Sequence, residues 1–198
     1  MVLDLVLARH GQSAANVDRS LGPDTDLTDL GREQAARLGA WLAGQGYRFS
    51  GFYCSALRRA CQTAEIVNAY LGLEIVVDAD LCEADVPYLA QLPERLDPLG
   101  VDPRPPFLVE YEQFRKQVAR ATARILAENR VGQVLVIAHG GTLGTMVRTI
   151  LGTHVLLVRT DQAAVHVLSW LGTRWNLQFV NRQEHLADLD TTRRGDKP

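Results

Sequence analysis

Two segments of the chain place an imidazole beside other chemically competent groups. The first is Leu7-Ala8-Arg9-His10-Gly11-Gln12-Ser13-Ala14-Ala15-Asn16, where an apolar run stops at a guanidinium, an imidazole and a glycine. The second is Val134-Leu135-Val136-Ile137-Ala138 followed by His139-Gly140-Gly141-Thr142. A third, Ser55-Ala56-Leu57-Arg58-Arg59-Ala60, adds two adjacent guanidiniums. Histidines and arginines brought together make an anion pocket, since guanidiniums present forked donors matched to phosphate oxygens. Imidazole is also a competent nucleophile at neutral pH, because its free pKa is about 6.5. Attack on a phosphoryl group would give a covalent phosphohistidine and divide one hard displacement into two. The arginines, the second histidine and backbone N–H groups would hold the charge on the equatorial oxygens. A carboxylic acid would then be needed to protonate the leaving oxygen and later to deprotonate water.

These groups need elements that bring them together. Residues 2–8, broken only by Asp4, read as a buried strand, and residues 134–138 as another. A strand that stops at a histidine and turns through glycine into a helix puts that histidine at the strand's carboxyl edge. Ligands bind at that edge in open α/β sheets, so His10 and His139 could share one pocket. Residues 13–18 can open a short helix whose first N–H groups point back towards His10. Thr28 is an N-cap, with Asp29 in the first turn, for a helix carrying Leu30, Gln34, Leu38, Trp41 and Leu42 and ending at Gly44 and Gly46. Residues 52–54 are a short strand, and Ser55 is an N-cap candidate for a helix to about Leu71, stopped by Gly72. Arg58 and Arg59 then fall in a first turn, where the helix dipole disfavours cations. A bound anion would account for them; a solvated helix surface is the alternative.

Residues 75–77 are a further strand, 110–129 a helix, and 142–151 a helix closed by Gly152. Residues 164–170 and 175–180 flank Leu171-Gly172-Thr173-Arg174 as a hairpin at the sheet edge. The expected fold class is α/β: a three-layer α/β/α sandwich with a mostly parallel central sheet and an antiparallel edge strand. His154 and His166 have no motif around them and are expected at the surface or sheet edge. Cys54 and Cys61 are expected as buried apolar thiols.

At 198 residues, 46% hydrophobic and 22% charged, the chain suits one domain over residues 1–186. A proline-rich irregular cap is expected over 86–109 and a polar, flexible tail over 187–198. A net charge of −2 offers no basic field for nucleic acid, and no apolar stretch approaches a membrane span. Three cysteines without Cys-x-x-Cys spacing argue against a disulfide framework or a structural zinc, so a reduced, cytoplasmic setting is expected.

Arg9-His10-Gly11-Gln12-Ser13 with Asn16, Leu27-Thr28 with Gly31, Ser55-Ala56-Leu57-Arg58-Arg59-Ala60 with Gln62-Thr63-Ala64, and Ala138-His139-Gly140-Gly141 together resemble the histidine phosphatase family. That family includes the cofactor-dependent phosphoglycerate mutases. The resemblance runs from about residue 3 to residue 186. It implies a phosphoglycerate mutase-like fold with His10 as the phosphorylated nucleophile. It also implies Arg9, Arg59 and His139 at the phosphate pocket, with Asn16 and the Gly140 backbone at neighbouring contact positions. The family's arginine precedes alanine, which selects Arg59 over Arg58. Its acid stands in a Leu-x-Glu segment after a strand, which selects Glu83, with a pKa raised by partial burial. After Glu83 the chain departs from the Trp-Glu-Gly pattern of many relatives and reads Ala84-Asp85-Val86-Pro87-Tyr88, which leaves Asp85 as the substitute acid.

The activity implied is hydrolysis of a small-molecule phosphomonoester without metal or other cofactor, with a homodimer left open. A mutase and a catalytically silent phosphate-binding module are the alternatives. Other phosphate chemistries are not supported: there is no P-loop motif, no cysteine is followed six residues later by arginine, and the Asp-x-Asp-x-Thr pattern at Asp24–Thr28 and Asp188–Thr192 follows no buried strand.

Overall fold

The structure is a computed structural model that describes residues 2–84, 91–92 and 108–189. Its core is a six-stranded sheet. In chain order the strands are β1 (Leu3–Arg9), β2 (Phe49–Ser55), β3 (Val76–Asp78), β4 (Gly132–Ala138), β5 (Val165–Trp170) and β6 (Trp175–Arg182), and across the sheet they run β3-β2-β4-β1-β5-β6. The first four are mutually parallel, while β5 runs antiparallel to β1 and β6 antiparallel to β5. This is the mixed sheet with an antiparallel edge expected from the sequence.

Alternate residues of the central strands feed two separate cores, as a pleated sheet covered on both faces requires. Leu3, Leu5 and Leu7 of β1 and Val134, Val136 and Ala138 of β4 pack against α4 (Val109–Glu128) and α5 (Gly140–Leu151). On the opposite face, Val6 and Ala8 with Leu135 and Ile137 pack against α2 (Asp29–Gly44) and α3 (Arg58–Leu71). A four-residue helix, α1 (Ala14–Val17), follows β1. No described helix is long and apolar enough to cross a membrane.

Several local expectations change. The helix expected from Ser55 begins at Arg58 with Leu57 as its cap residue, because the Ser55 hydroxyl accepts from Leu57 N–H while still at the end of β2. The first N–H groups of α1 do not face His10. Ala14 N donates to the Asp26 carbonyl and Ala15 N to the Thr25 hydroxyl, so the following loop takes them up. His166 is fully buried: β5 lies between β1 and β6, and the exposed edge belongs to β6. Thr28 does cap α2, its hydroxyl accepting from Gly31 N–H at 3.1 Å. The proline-rich stretch over 86–109 and the tail from 190 onward fall almost wholly outside the described residues. Leu189 packs on the α2–α3 side of the sheet, and Asp188 pairs with Arg37.

The turn after β1 is held against the start of α2 by two glycines. A Cβ on Gly11 would lie 2.2 Å from the Gly31 carbonyl oxygen, and one on Gly31 would lie 1.9 Å from the Gln12 carbonyl oxygen. Neither position has room for a side chain.

Candidate active site

Strands β1 and β4 are adjacent and in register, with Arg9 opposite Ala138. The pairing continues one residue further, His10 N–H donating to the Ala138 carbonyl at 3.0 Å. His10 and His139 thus leave the sheet side by side at its carboxyl edge, with ring centroids 5.0 Å apart and planes at 59°. Both rings are buried.

The tautomer of His10 follows from its neighbours. Its Nδ1 lies 2.6 Å from the Gly11 carbonyl, which can only accept, so Nδ1 carries the proton. Its Nε2 is then a lone pair, and it accepts from Nε of Arg59 at 3.0 Å. Burial first, then the Arg9 and Arg59 charges, hold the His10 pKa well below its ordinary value, outweighing the Gly11 bond. A neutral ring with an unprotonated Nε2 is the nucleophilic form of histidine.

Arg59 also donates to the Pro23 carbonyl, and its position on α3 is fixed through Thr63. The Thr63 hydroxyl donates to the Arg59 carbonyl at 2.7 Å and accepts from Gly11 N–H at 3.1 Å, tying α3 to the His10 turn. Arg58 goes elsewhere: it is exposed and pairs with Asp26 at 2.6 Å. Arg9 donates from Nη1 to the Thr160 carbonyl at 2.6 Å, and its guanidinium lies 3.7 Å from where a Gly140 Cβ would stand. The two retained guanidiniums therefore flank the histidine pair from different sides of the chain.

His139 Nε2 is 2.7 Å from the Ser55 hydroxyl. Its Nδ1 is buried with no hydrogen-bond partner among the described residues. Burial, then His10, Arg59 and Arg9, also hold the His139 pKa well below the usual range.

Glu83 follows the single turn after β3 and reaches the amino terminus of α5. Its Oε2 accepts from Gly141 N–H at 2.8 Å, and the Thr142 hydroxyl lies 3.4 Å from Oε1. Burial pushes its carboxyl above the ordinary range, against the Gly141 bond and the charges of Arg9 and Arg59. A carboxyl shifted this way is a better proton donor near neutral pH than a solvated one. Asn16 commits its side-chain oxygen to capping α1, accepting from Ser13 N–H at 3.0 Å, so only its NH2 group is left for a ligand. Asp85 lies outside the described residues.

The structure thus brings His10, His139, Arg59, Arg9 and Glu83 to one sheet edge from four separate stretches of chain. Ser55, Thr63, Thr142 and Thr160, which hold them, were not singled out as site residues. Ser55, Thr63 and Thr142 do stand inside the motif segments; Thr160 carries no comparable signal. His154 meets the Tyr111 hydroxyl at 2.7 Å, and His185 stacks on Trp41 with centroids 5.4 Å apart; both serve packing. Burial pushes the Cys54 thiol up to about 12, so it is inert, whereas Cys61 and Cys82 are only half-buried.

A mostly parallel sheet with two imidazoles, two guanidiniums and a raised carboxyl at its carboxyl edge defines an α/β protein with a cationic, histidine-bearing site at that edge. Residues 5–183 match the family model of the histidine phosphatase superfamily (branch 1), and the chain belongs to that superfamily. Among its relatives is phosphoglycerate mutase-like protein 4 of Arabidopsis thaliana, 25% identical over 93% of this chain and 87% of that one. Another is the Bacillus subtilis protein named uncharacterized phosphatase PhoE, 26% identical over 91% of this chain and 95% of that one. The crystal structure of α-ribazole phosphatase from Shigella flexneri shares the fold, with a TM-score of 0.72 at 23% identity, covering 91% of this chain and 96% of that one.

Proposed function

We propose that the protein is a phosphatase that hydrolyses a small-molecule phosphomonoester through a phosphohistidine on His10, without a metal. The observation that carries this is the pairing of a neutral His10 Nε2 with the Arg59 guanidinium at 3.0 Å, beside the buried, unpartnered His139 Nδ1.

The ester phosphate enters between the two rings, its oxygens taken by Arg9, Arg59, His139 and the Asn16 NH2 group. His10 Nε2 attacks phosphorus in line with the ester oxygen, the N–P bond forming as the P–O bond breaks. Glu83 gives its proton to the departing alkoxide. As a carboxylate it then takes a proton from water, whose oxygen attacks phosphorus, breaks the N–P bond and releases inorganic phosphate. The Gly140 N–H group at the start of α5 adds the favourable end of a helix dipole to the same anion, while Gly141 N–H stays on Glu83.

Phosphatase is preferred to mutase because residues 86–107 bring only Arg95 and Arg104 as cations, among Tyr88, Leu89, Leu92, Leu96, Leu99 and Phe107. A sugar-acid bisphosphate would call for more positive charge, whereas this composition suits a less polar organic phosphate. Incubation with 32P-labelled phosphomonoesters, followed by product analysis and an acid-sensitivity test on the quenched protein, decides between the readings. Free phosphate with an acid-labile phosphoprotein is expected. Phosphate returned to an isomer would mean a mutase, and binding without turnover would mean a silent module.

A further inference from the structure

Glu83 does not sit on a helix or strand; it follows a three-residue turn, Ala79–Leu81, at the end of β3. Proton transfer nonetheless needs its carboxyl placed to within a fraction of an ångström. Something must hold that segment, and α4 carries the means. Gln117 donates from Nε2 to two carbonyls of the segment, Asp80 at 3.3 Å and Cys82 at 3.1 Å. Arg120 pairs with the Asp80 carboxylate at 2.7 Å, and Arg124 bridges Asp78 at 2.7 Å and Asp80 at 2.8 Å. Residues 117, 120 and 124 are three and four apart, so they form one stripe along the helix. From the other side, the Thr142 hydroxyl of α5 lies 3.3 Å from the same Cys82 carbonyl.

The side chains of Arg120 and Arg124 are 59% and 46% exposed, and ion pairs that open to water add little to stability. Three donors converging on one short turn, directly before the acid, are better explained by the aim of that acid. We propose that the Gln117–Arg120–Arg124 stripe is the mount of Glu83, with Gln117 a positioning residue for proton transfer to the leaving oxygen. This rests on the assignment of Glu83 as the general acid.

The leaving group provides the test. 4-Nitrophenolate departs without a proton, whereas the alkoxide of glycerol phosphate needs one. The Gln117→Met variant keeps the side-chain length and removes both donated hydrogen bonds at a half-buried site. Its kcat/KM should fall about tenfold on glycerol phosphate and no more than about twofold on 4-nitrophenyl phosphate, with the melting temperature nearly unchanged. The double variant Arg120→Gln/Arg124→Gln, at exposed positions, should show the same selectivity in weaker form. Equal losses on both esters, or none on either, alongside a selective loss in Glu83→Gln, would overturn the mount and leave the acid in place. An unselective Glu83→Gln would overturn the acid assignment and the mount with it.

Discussion

Nε of Arg59 donates to Nε2 of His10 across 3.0 Å, so the guanidinium rests on the lone pair that attacks in the proposed mechanism. Under that mechanism an arriving phosphoryl group takes the lone pair, and the freed Arg59 N–H groups pass to its oxygens. The nucleophile is thereby kept unprotonated until substrate displaces its partner. Lysine cannot reproduce this with a single point charge. Arg59→Lys should lower kcat/KM about a hundredfold, read by steady-state kinetics on an aryl phosphate. Arg58→Ala, which only breaks an exposed pair with Asp26, should leave it within about twofold.

Replacing His10 removes the covalent step. His10→Ala should reduce kcat by about a thousandfold or more and leave no phosphate on the protein after rapid quenching. Undiminished turnover, or persistent acid-labile labelling, would contradict the mechanism.

The pH profile follows from opposite shifts. His10 lies well below its ordinary value and so stays neutral well into the acid range, while Glu83 lies above its own. Activity on alkyl phosphates should therefore fall as pH rises through the raised Glu83 pKa, since the acid loses its proton. In Glu83→Gln that limb should flatten, with kcat/KM on the same ester about a hundredfold lower at its optimum. Profiles of kcat/KM for both proteins provide the measurement.

His166 bears on stability rather than rate. The Asn181 N–H donates to its Nδ1 at 3.1 Å, so Nε2 carries the proton and faces the Thr160 hydroxyl at 3.1 Å. Burial pushes its pKa down to about 4 from 6.5. The unfolded chain takes up this proton near the ordinary value and the folded chain only near the lowered one. The neutral ring's contribution is therefore complete above about pH 6.5 and is lost as pH falls to about 4. Between those limits His166→Gln should flatten the pH dependence of unfolding free energy by up to about 1.4 kcal/mol per pH unit, measured by urea titration.

Gly11→Ala and Gly31→Ala should each destabilise by about 3 kcal/mol or more, because each Cβ would collide with a backbone carbonyl rather than a yielding side chain. Chemical denaturation at fixed pH reads the loss.

Much of this was legible in the chain. The strand–histidine–glycine grammar at His10 and His139 marks a backbone event, an extended segment turning sharply, and such events are written locally. Arg59 and Glu83 were identified through the family resemblance. What escaped depends on distance. Ser55 reads as a helix cap until the fold sets it 2.7 Å from a histidine 84 residues away. Thr160 is silent until its carbonyl meets Arg9 across 151 residues. His166 is expected at the surface or sheet edge because periodicity gives the hairpin but not which of its strands lies outermost, and β6 outside β5 changes an edge into an interior.

The 5.0 Å between the two imidazoles is close to the spacing of neighbouring strands, about 4.8 Å, and both rings leave the sheet one residue past paired positions. The width of the reactive gap is therefore inherited from backbone pitch, which no side-chain replacement alters. Surrounding loops can drift towards new esters while the bond-breaking apparatus stays at constant gauge, so one scaffold can change its diet without relearning its chemistry.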